Sequence, residues 1–244
     1  MSDMGVGVII QARMGSSRLP GKSLMKLGSK PLIDHVIQRC LASVSPNQVY
    51  LATTNQEEDK VLVAHVAETY GIKIFLGDKF DVRSRFAAVS KDYSLSKVVR
   101  ITADDPFKDP AHIQESIRQL DLGGIDYYNN FETPVFPIGL DVESFRTKAL
   151  YDNILADASS ESMEHVTFGL RKSPNLVRKF HQGKPEFTKV RLTIDTSTDL
   201  EFCNRLLEVK PEMENTAYDW ATTRAALIAL GNYSAVLLSN EENL

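Results

Sequence analysis

The chain has 244 residues, 43% of them hydrophobic, with a net charge of −4 and a pI near 5.8. That length accommodates a full α/β core in a single domain spanning residues 1–244, and the negative balance excludes a broad nucleic-acid or lipid-headgroup surface. No stretch approaches the roughly 18 apolar residues of a membrane span, and the amino terminus lacks a basic region followed by an apolar run, which predicts a cytoplasmic protein with no membrane partner.

The first predicted element is Val6-Gly7-Val8-Ile9-Ile10, an apolar β-branched run of the kind buried on both faces of a parallel sheet. The loop that follows, residues 11–24, carries Arg13, Arg18 and Lys22 together with Gly15 and Gly21. A loop leaving the carboxyl end of a central strand lies where open α/β sheets place their ligands. Glycine lets backbone N–H groups approach an anion, and three cations supply full charge, so a polyphosphate is the expected guest. Gly15 and Gly21 enclose one residue more than a Walker A loop allows, and Pro20 removes an N–H such a cradle would use. No G-x-G-x-x-G opens a helix here, so the dinucleotide fingerprint fails as well.

Pro31 starts a predicted helix carrying Leu32, Val36, Ile37 and Leu41 at helical spacing and ending near Ser45-Pro46. A second strand over 48–54 is followed by the polar and acidic residues 55–58, which predict the start of a helix running to Tyr70, with Gly71 as its stop. A short strand over 72–76, a helix over 81–93 and a strand over 97–102 continue the βα alternation, and the last ends in Ala103-Asp104-Asp105-Pro106. Acids at that strand end point toward the same crevice as the first loop. Asp109-Pro110 caps a helix that stops at Gly123-Gly124. Beyond it the pattern changes: strand-like pieces over 126–130 and 140–145 flank a Pro134/Pro137 turn region with no helix between them, predicting an antiparallel excursion in a mixed sheet. Helices over 147–158 and 162–171, strands over 176–181 and 190–194, and closing helices over 198–209 and 218–230 complete the chain. The nucleotide-binding half is expected over about residues 1–124 and an acceptor half over about 125–244. Cys40 and Cys203 lie in helical segments without metal-ligand spacing and read as buried thiols.

Five blocks then carry a resemblance: residues 9–22 around Arg13-Met14-Gly15-Ser16-Ser17-Arg18, Arg100-Ile101-Thr102-Ala103-Asp104-Asp105-Pro106, Gly139-Leu140-Asp141-Val142-Glu143, Glu164-His165-Val166-Thr167, and Arg191-Leu192-Thr193-Ile194-Asp195-Thr196. In this order they resemble the sugar nucleotidylyltransferases related to CMP-sialate and CMP-3-deoxy-manno-octulosonate synthetases, and most nearly the spore coat polysaccharide biosynthesis protein F group. The resemblance implies a single three-layer α/β nucleotidyltransferase domain similar to GT-A glycosyltransferases, with a mixed, mostly parallel sheet. It also implies a homodimer, for which the 125–145 excursion is the candidate interface.

The implied activity joins a nucleoside triphosphate, CTP by likeness, to an acidic or modified sugar, giving a nucleotide sugar for surface polysaccharide and pyrophosphate. Such a reaction needs charge neutralised on the leaving group and the reactants held in line, but no protein nucleophile. Arg13 and Lys22 are assigned to triphosphate oxygens, with Arg18 a further phosphate or loop-ordering contact; Gly15 and Ser16 belong to the same loop. Mg2+ takes oxygen ligands and commonly only one or two carboxylates. The resemblance assigns it to Asp104 and Asp195, at two strand ends remote in sequence; the alternative is that Asp104 closes a turn and Asp195 caps the next helix. By likeness the base meets the backbone around Ala12 and the Ala52-Thr53-Thr54 strand end, Gln11 belongs to the same nucleotide site, and Arg85 either reaches the nucleotide or is a solvated helix charge. Gln11 stands where many CMP-sugar synthetases have proline, which leaves base and acceptor open.

On the acceptor side, Asp141 and Glu143 sit two apart on a predicted strand and so share a face for sugar hydroxyls. Glu164 and His165 lie in a predicted helix, where His165 is either a plain hydrogen-bonding residue or the group that orients or deprotonates the acceptor. His35, His65, His112 and His181 have no partner at ligand spacing, and Trp220, Tyr127 and Tyr128 read as core or interface. Two other functions fit parts of the pattern. A glycosyltransferase using a nucleotide sugar would need less cationic density and would carry D-x-D where this strand ends in Asp-Asp-Pro. A non-catalytic nucleotide-binding subunit would keep the loop without turnover.

Overall fold

The structure is a computed structural model that describes residues 5–156, 159–215 and 218–231. Its elements follow one another as β1 Val6–Gln11, β2 Lys26–Leu27, β3 Lys30–Pro31, α1 Leu32–Leu41, β4 Val49–Thr54, α2 Lys60–Tyr70, β5 Lys73–Gly77, α3 Val82–Asp92, β6 Lys97–Thr102 and α4 Pro110–Asp121. Then come β7 Tyr127–Asn129, β8 Glu143–Arg146, α5 Thr147–Ala156, α6 Ser160–Glu164, α7 Phe168–Lys172, β9 Arg178–Phe180, α8 Ser197–Val209 and α9 Trp220–Leu230. The main sheet has seven strands in the order β5-β4-β1-β6-β8-β7-β9, and β8 alone runs against its neighbours. A mostly parallel mixed sheet with an antiparallel excursion is thus what forms.

The alternation of β1 sets the layers. Val8 and Ile10 face one way, onto Ile33, Val36 and Ile37 of α1 and Leu62 and Val66 of α2, while Ile9 faces the other, with Phe86 and Val89 of α3 and Leu150 of α5. All of these side chains are fully buried, each worth about 1.5–3 kcal/mol of apolar transfer. A strand buried on both faces cannot sit at an edge, so β1 is central, paired with β4 on one side and β6 on the other. The chain winds outward from β1 through β4 to β5 and returns to add β6 on the opposite flank. That reversal is a topological switch point, and Gln11 and Thr102, paired in register, mark its carboxyl end.

Caps follow the residues expected of them. Asp81 and Asp109 accept from Ser84 N and Ala111 N at the starts of α3 and α4, and Gly71 ends α2 in the left-handed region. Three expectations need correction, and one hairpin adds to the predicted elements. Residues 190–194 form no ladder strand: the segment is extended, but it makes one isolated bridge, Ile138 to Arg191, and Ile194 N donates to Asp104 O instead. Strand β8 begins at Glu143, so Asp141 precedes it and the two acids do not share a strand. The helix expected over 162–171 is two short helices broken at His165, whose φ of −101° and ψ of 72° leave the helical region. The hairpin β2–β3, too short for any periodicity to reveal, was not anticipated. The tail of the helix expected over 147–158 falls at residues 157–158, outside the described residues.

The 125–145 excursion contributes its strands to the sheet itself, where Tyr127, Tyr128 and Phe145 are buried. His35 and Trp220 are absorbed by packing: His35 Nε2 lies 2.8 Å from Leu27 O, and Trp220 sits edge-on to Phe136 and Phe187. Among the described residues no helix is long and apolar enough to cross a membrane.

Gly139 fixes the crossing of the 138–140 and 190–194 segments. Its φ is +105°, and an added Cβ would lie 2.8 Å from both Leu192 C and Thr193 N. Gly139→Ala therefore combines backbone strain of about 1–3 kcal/mol with a backbone clash. We expect thermal denaturation followed by circular dichroism to show a melting temperature lower by roughly 3–10 °C; an unchanged midpoint would mean that this crossing is not tightly packed.

Candidate active site

The basic loop is folded over the carboxyl end of β1 by its own backbone. Met14 O accepts from Ser16 N and Gly21 N, both at 2.9 Å, and Gly21 takes φ +75°, a left-handed turn that favours glycine. Ser23 Oγ donates to Arg13 O at 3.1 Å, and Met14 N donates to Asp59 Oδ1 at 2.6 Å. Asp59 is buried and also accepts from Thr54 Oγ1. It anchors the loop to β4, a role that the acidic run after β4 gave no way to single out.

Lys22 is the centre of the arrangement. Its Nζ donates to Asp104 Oδ2 at 2.9 Å, Asp195 Oδ1 at 2.9 Å and Ile194 O at 2.8 Å. Arg18 and Arg191 pair with the same Asp195 carboxylate at 2.9 and 3.1 Å. Burial works against the charge on Lys22, but Asp104 and Asp195 outweigh it and raise the ammonium above its ordinary value. Burial likewise opposes ionisation of Asp195, and Lys22, Arg18 and Arg191 overcome it, holding that carboxyl below its ordinary value. Asp195 is free to face the crevice because Thr196, not Asp195, caps α8 in a capping box with Asp199. Asp105 in turn closes the strand-end turn, accepting from Thr102 Oγ1 at 2.6 Å and Lys108 Nζ at 2.7 Å, which leaves Asp104 to the crevice.

Two adjoining cavities open at the switch point. The first, of about 350 Å³, is bordered by Gln11, Ala12, Arg13, Ser16, Arg18 and Lys22 from the loop. Arg85, Arg100, Asp104, Glu164, His165 and Asp195 close its other sides. Five guanidinium or ammonium groups face three carboxylates here, in a chain whose overall charge is negative. The second cavity, of about 230 Å³, contains Asp141, Glu143, Lys108 and Arg171 and shares Arg100, Thr102 and His165 with the first.

The match to the cytidylyltransferase family model runs over residues 7–225. The chain belongs to the cytidylyltransferase family. It is 35% identical over 208 residues to the spore coat polysaccharide biosynthesis protein SpsF of Bacillus subtilis (strain 168), covering 82% of this chain and 85% of that one. Over 117 residues it is 33% identical to the 3-deoxy-manno-octulosonate cytidylyltransferase of Aeromonas salmonicida (strain A449), covering 46% and 44% of the two chains. A solved cytidylyltransferase structure from Leptospira borgpetersenii superposes with a TM-score of 0.85 at 25% identity, over 92% of this chain and 94% of that one. This cytidylyltransferase is accordingly an enzyme of nucleotidyl transfer.

Most residues singled out in the sequence meet at these cavities, and the exceptions are instructive. Gly15 turns within the loop without bordering either cavity, and its backbone lies against Glu58. Ala52 and Thr53 are fully buried beneath the crevice, where Ala52 O accepts from Ala12 N and from Arg85 Nη1. Arg85 is no solvated charge: it is 2% exposed and borders the first cavity, and burial together with Arg13 pushes it down to about 10. Glu164, expected with the acceptor residues, faces the first cavity, whereas Asp141 and Glu143 meet in the second despite not sharing a strand. Arg100, Lys108 and Arg171 were not singled out as site residues; Arg100 stood inside a quoted block, and the other two had only charge to mark them.

Among the described residues no group of three or more His, Cys, Asp or Glu side chains could form a protein-only metal cage. The donor set suits a hard ion that takes only one or two carboxylates, since Asp104 and Asp195 both lie within hydrogen-bond length of one ammonium.

Lys22→Met removes the cation common to both acids. The depressed Asp195 contributes stability above its unfolded value near pH 4, and this is lost as pH falls through its folded value; the raised Lys22 contributes below its ordinary value, and this is lost above it. Urea titrations across pH should therefore show the variant less stable than wild type at pH 7, with the gap closing below about pH 4. A constant gap at all pH values would remove the ion pairs as its cause.

Proposed function

We propose that this cytidylyltransferase transfers the cytidylyl group of CTP to a hydroxyl of an acidic or modified sugar, releasing pyrophosphate and giving a CMP-sugar for surface glycan assembly. The observation that carries this is the cationic first cavity, five positive groups gathered at the switch point, opening onto a smaller polar cavity through shared walls. The family membership and the likeness to SpsF support the base and the pathway class.

In the reaction the acceptor oxygen forms a bond to the α-phosphorus and the bond from that phosphorus to the α,β-bridging oxygen breaks, so negative charge grows on pyrophosphate. Arg13, Arg18 and Lys22 would bind those oxygens, and Arg85, whose Nη1 donates to Ala52 O, would add a buried cation. Asp104 and Asp195 would hold a Mg2+ ion, Lys22 moving its donors to phosphate. When bound, that ion supplies charge neutralisation at the phosphate oxygens. His165 borders both cavities, so it can orient the acceptor hydroxyl or accept its proton. The second cavity would hold the sugar, and CTP would fill the first.

Pyrophosphate release, detected with malachite green after pyrophosphatase, tests this with CTP, UTP, GTP and ATP against sugar acids and sugar phosphates in the presence of Mg2+. CTP should be preferred, and Asp104→Ala should lower turnover on the order of a hundredfold or more, the scale of losing a preorganised charge partner. No product from any nucleotide and acceptor would defeat the proposal.

A further inference from the structure

The second cavity holds three cations and three carboxylates that balance in number but not in pairing. Arg100 is committed: Nη1 pairs with Glu143 and Nε donates to Gln11 Oε1 at 2.9 Å. Glu143 is saturated further by Tyr127 Oη, which donates at 2.6 Å. Lys108 is committed too, to Asp105 Oδ2 at 2.7 Å and to Asp141 O. Arg39 locks that lysine from behind, its Nε donating to Lys108 O and its guanidinium stacked 3.5 Å above the Tyr218 ring. These pairs form a fixed, neutral floor.

Two opposite charges remain, Arg171 and the carboxylate of Asp141. Among the described residues no carboxylate lies within ion-pairing distance of Arg171; its Cζ is 5.7 Å from the Phe131 ring centroid, a distance at which the ring face orients the guanidinium without consuming its donors. The planar fork of arginine suits bidentate binding of a carboxylate or phosphate, and its donors are costly to leave unmet in a partly desolvated pocket. Asp141 is the converse case. Its carboxylate borders the cavity with the backbone N–H of Gly139 beside it but no side-chain donor among the described residues, and burial, opposed by Lys108, pushes it up to about 6, so it has acceptor capacity left for a hydroxyl or ammonium donor. The cavity, about 230 Å³, lies below the usual range of about 300–1,000 Å³ for drug-sized ligands, which suits one sugar unit and not a second nucleotide.

We propose that Arg171 and Asp141 are the specificity-determining pair of the acceptor site: Arg171, backed by Phe131, binds an anionic group of the sugar, and Asp141 accepts a hydrogen bond from a hydroxyl or ammonium of the same molecule. This rests on the nucleotidyl-transfer reading, which makes the second cavity the acceptor site. It explains why a cavity neutral in sum can select a charged ligand: only the unpaired members of its charge set are available to read one. Neutral sugars leave Arg171 unsatisfied and are rejected for that reason.

Calorimetric titration of the full chain tests the pair directly, without turnover. The probes are 3-deoxy-manno-octulosonate and N-acetylneuraminate, their methyl esters, and glucose 1-phosphate, each titrated with CMP present, and CTP is titrated separately. Wild type should bind at least one anionic probe, and the matching ester at least tenfold more weakly; the acid and phosphate arms decide which anion is preferred. Arg171→Gln should weaken the anionic probe at least tenfold while CTP affinity stays within twofold, because Arg171 does not border the first cavity. Arg171→Lys should recover part of the loss, which a merely structural role would not predict, and Asp141→Ala should weaken the probe at least fivefold. Unchanged binding in either Arg171→Gln or Asp141→Ala, equal binding of acid and ester, or no anionic probe bound by a wild type that binds CTP overturns the inference alone. A wild type that does not bind CTP defeats the nucleotidyl-transfer reading and takes this inference with it.

Discussion

The site depends on one ammonium group. Lys22 Nζ meets Asp104, Ile194 O and Asp195 at 2.8–2.9 Å, joining the loop after β1 to residues 82, 172 and 173 positions away in the chain. Each contact satisfies a charge that would otherwise be stranded in a half-buried crevice: three donors on the lysine, three acceptors from two remote segments. Arg18 and Arg191 converge on the same Asp195 and, with Lys22, hold its carboxyl below its ordinary value although it is half-buried.

The sheet makes that convergence possible. Reversal of strand order between β1 and β6 opens a crevice at their carboxyl ends, and whatever follows Gln11 and Thr102 must border it. The loop supplies cations and the β6 end supplies Asp104. The extended segment before α8, crossing Gly139 and hydrogen-bonded through Ile194 N to Asp104 O, brings Asp195 to the same place. Behind them the buried Arg39, stacked on Tyr218 and bonded to Lys108 O, fixes the turn that contains Asp104 and Asp105. Rigid support of this kind matters because transfer between two bound reactants depends on alignment more than on any single group.

Arg100, Thr102 and His165 border both cavities, so a ligand in one lies against the wall of the other. Arg100 spans the boundary, held by Gln11 on the loop side and Glu143 on the other. The proline common at the position of Gln11 in related synthetases could not make that bond, so the departure noted in the sequence has a local structural consequence: it ties the start of the basic loop to the wall between the cavities.

By itself the sequence determined the elements whose causes are local. The β-branched run of β1, Asp109-Pro110 opening α4, Gly71 closing α2 and the basic loop after the first strand all act through neighbours within a few residues, and all were legible. The resemblance blocks likewise named most residues that border the cavities, including Asp104 and Asp195. Only the tertiary structure decided which charges are already paired. Lys108 and Arg171 look alike in sequence, but the first is buried against Asp105 and the second is left over Phe131, and nothing within a few residues of either tells them apart. The same holds for residues 190–194, whose apolar alternation predicts a strand although their hydrogen bonds go to Ile138 and Asp104 in place of a ladder. Pattern records which face of an element is buried; partners chosen across long sequence distances are settled when the sheet closes and each buried polar group must find its match.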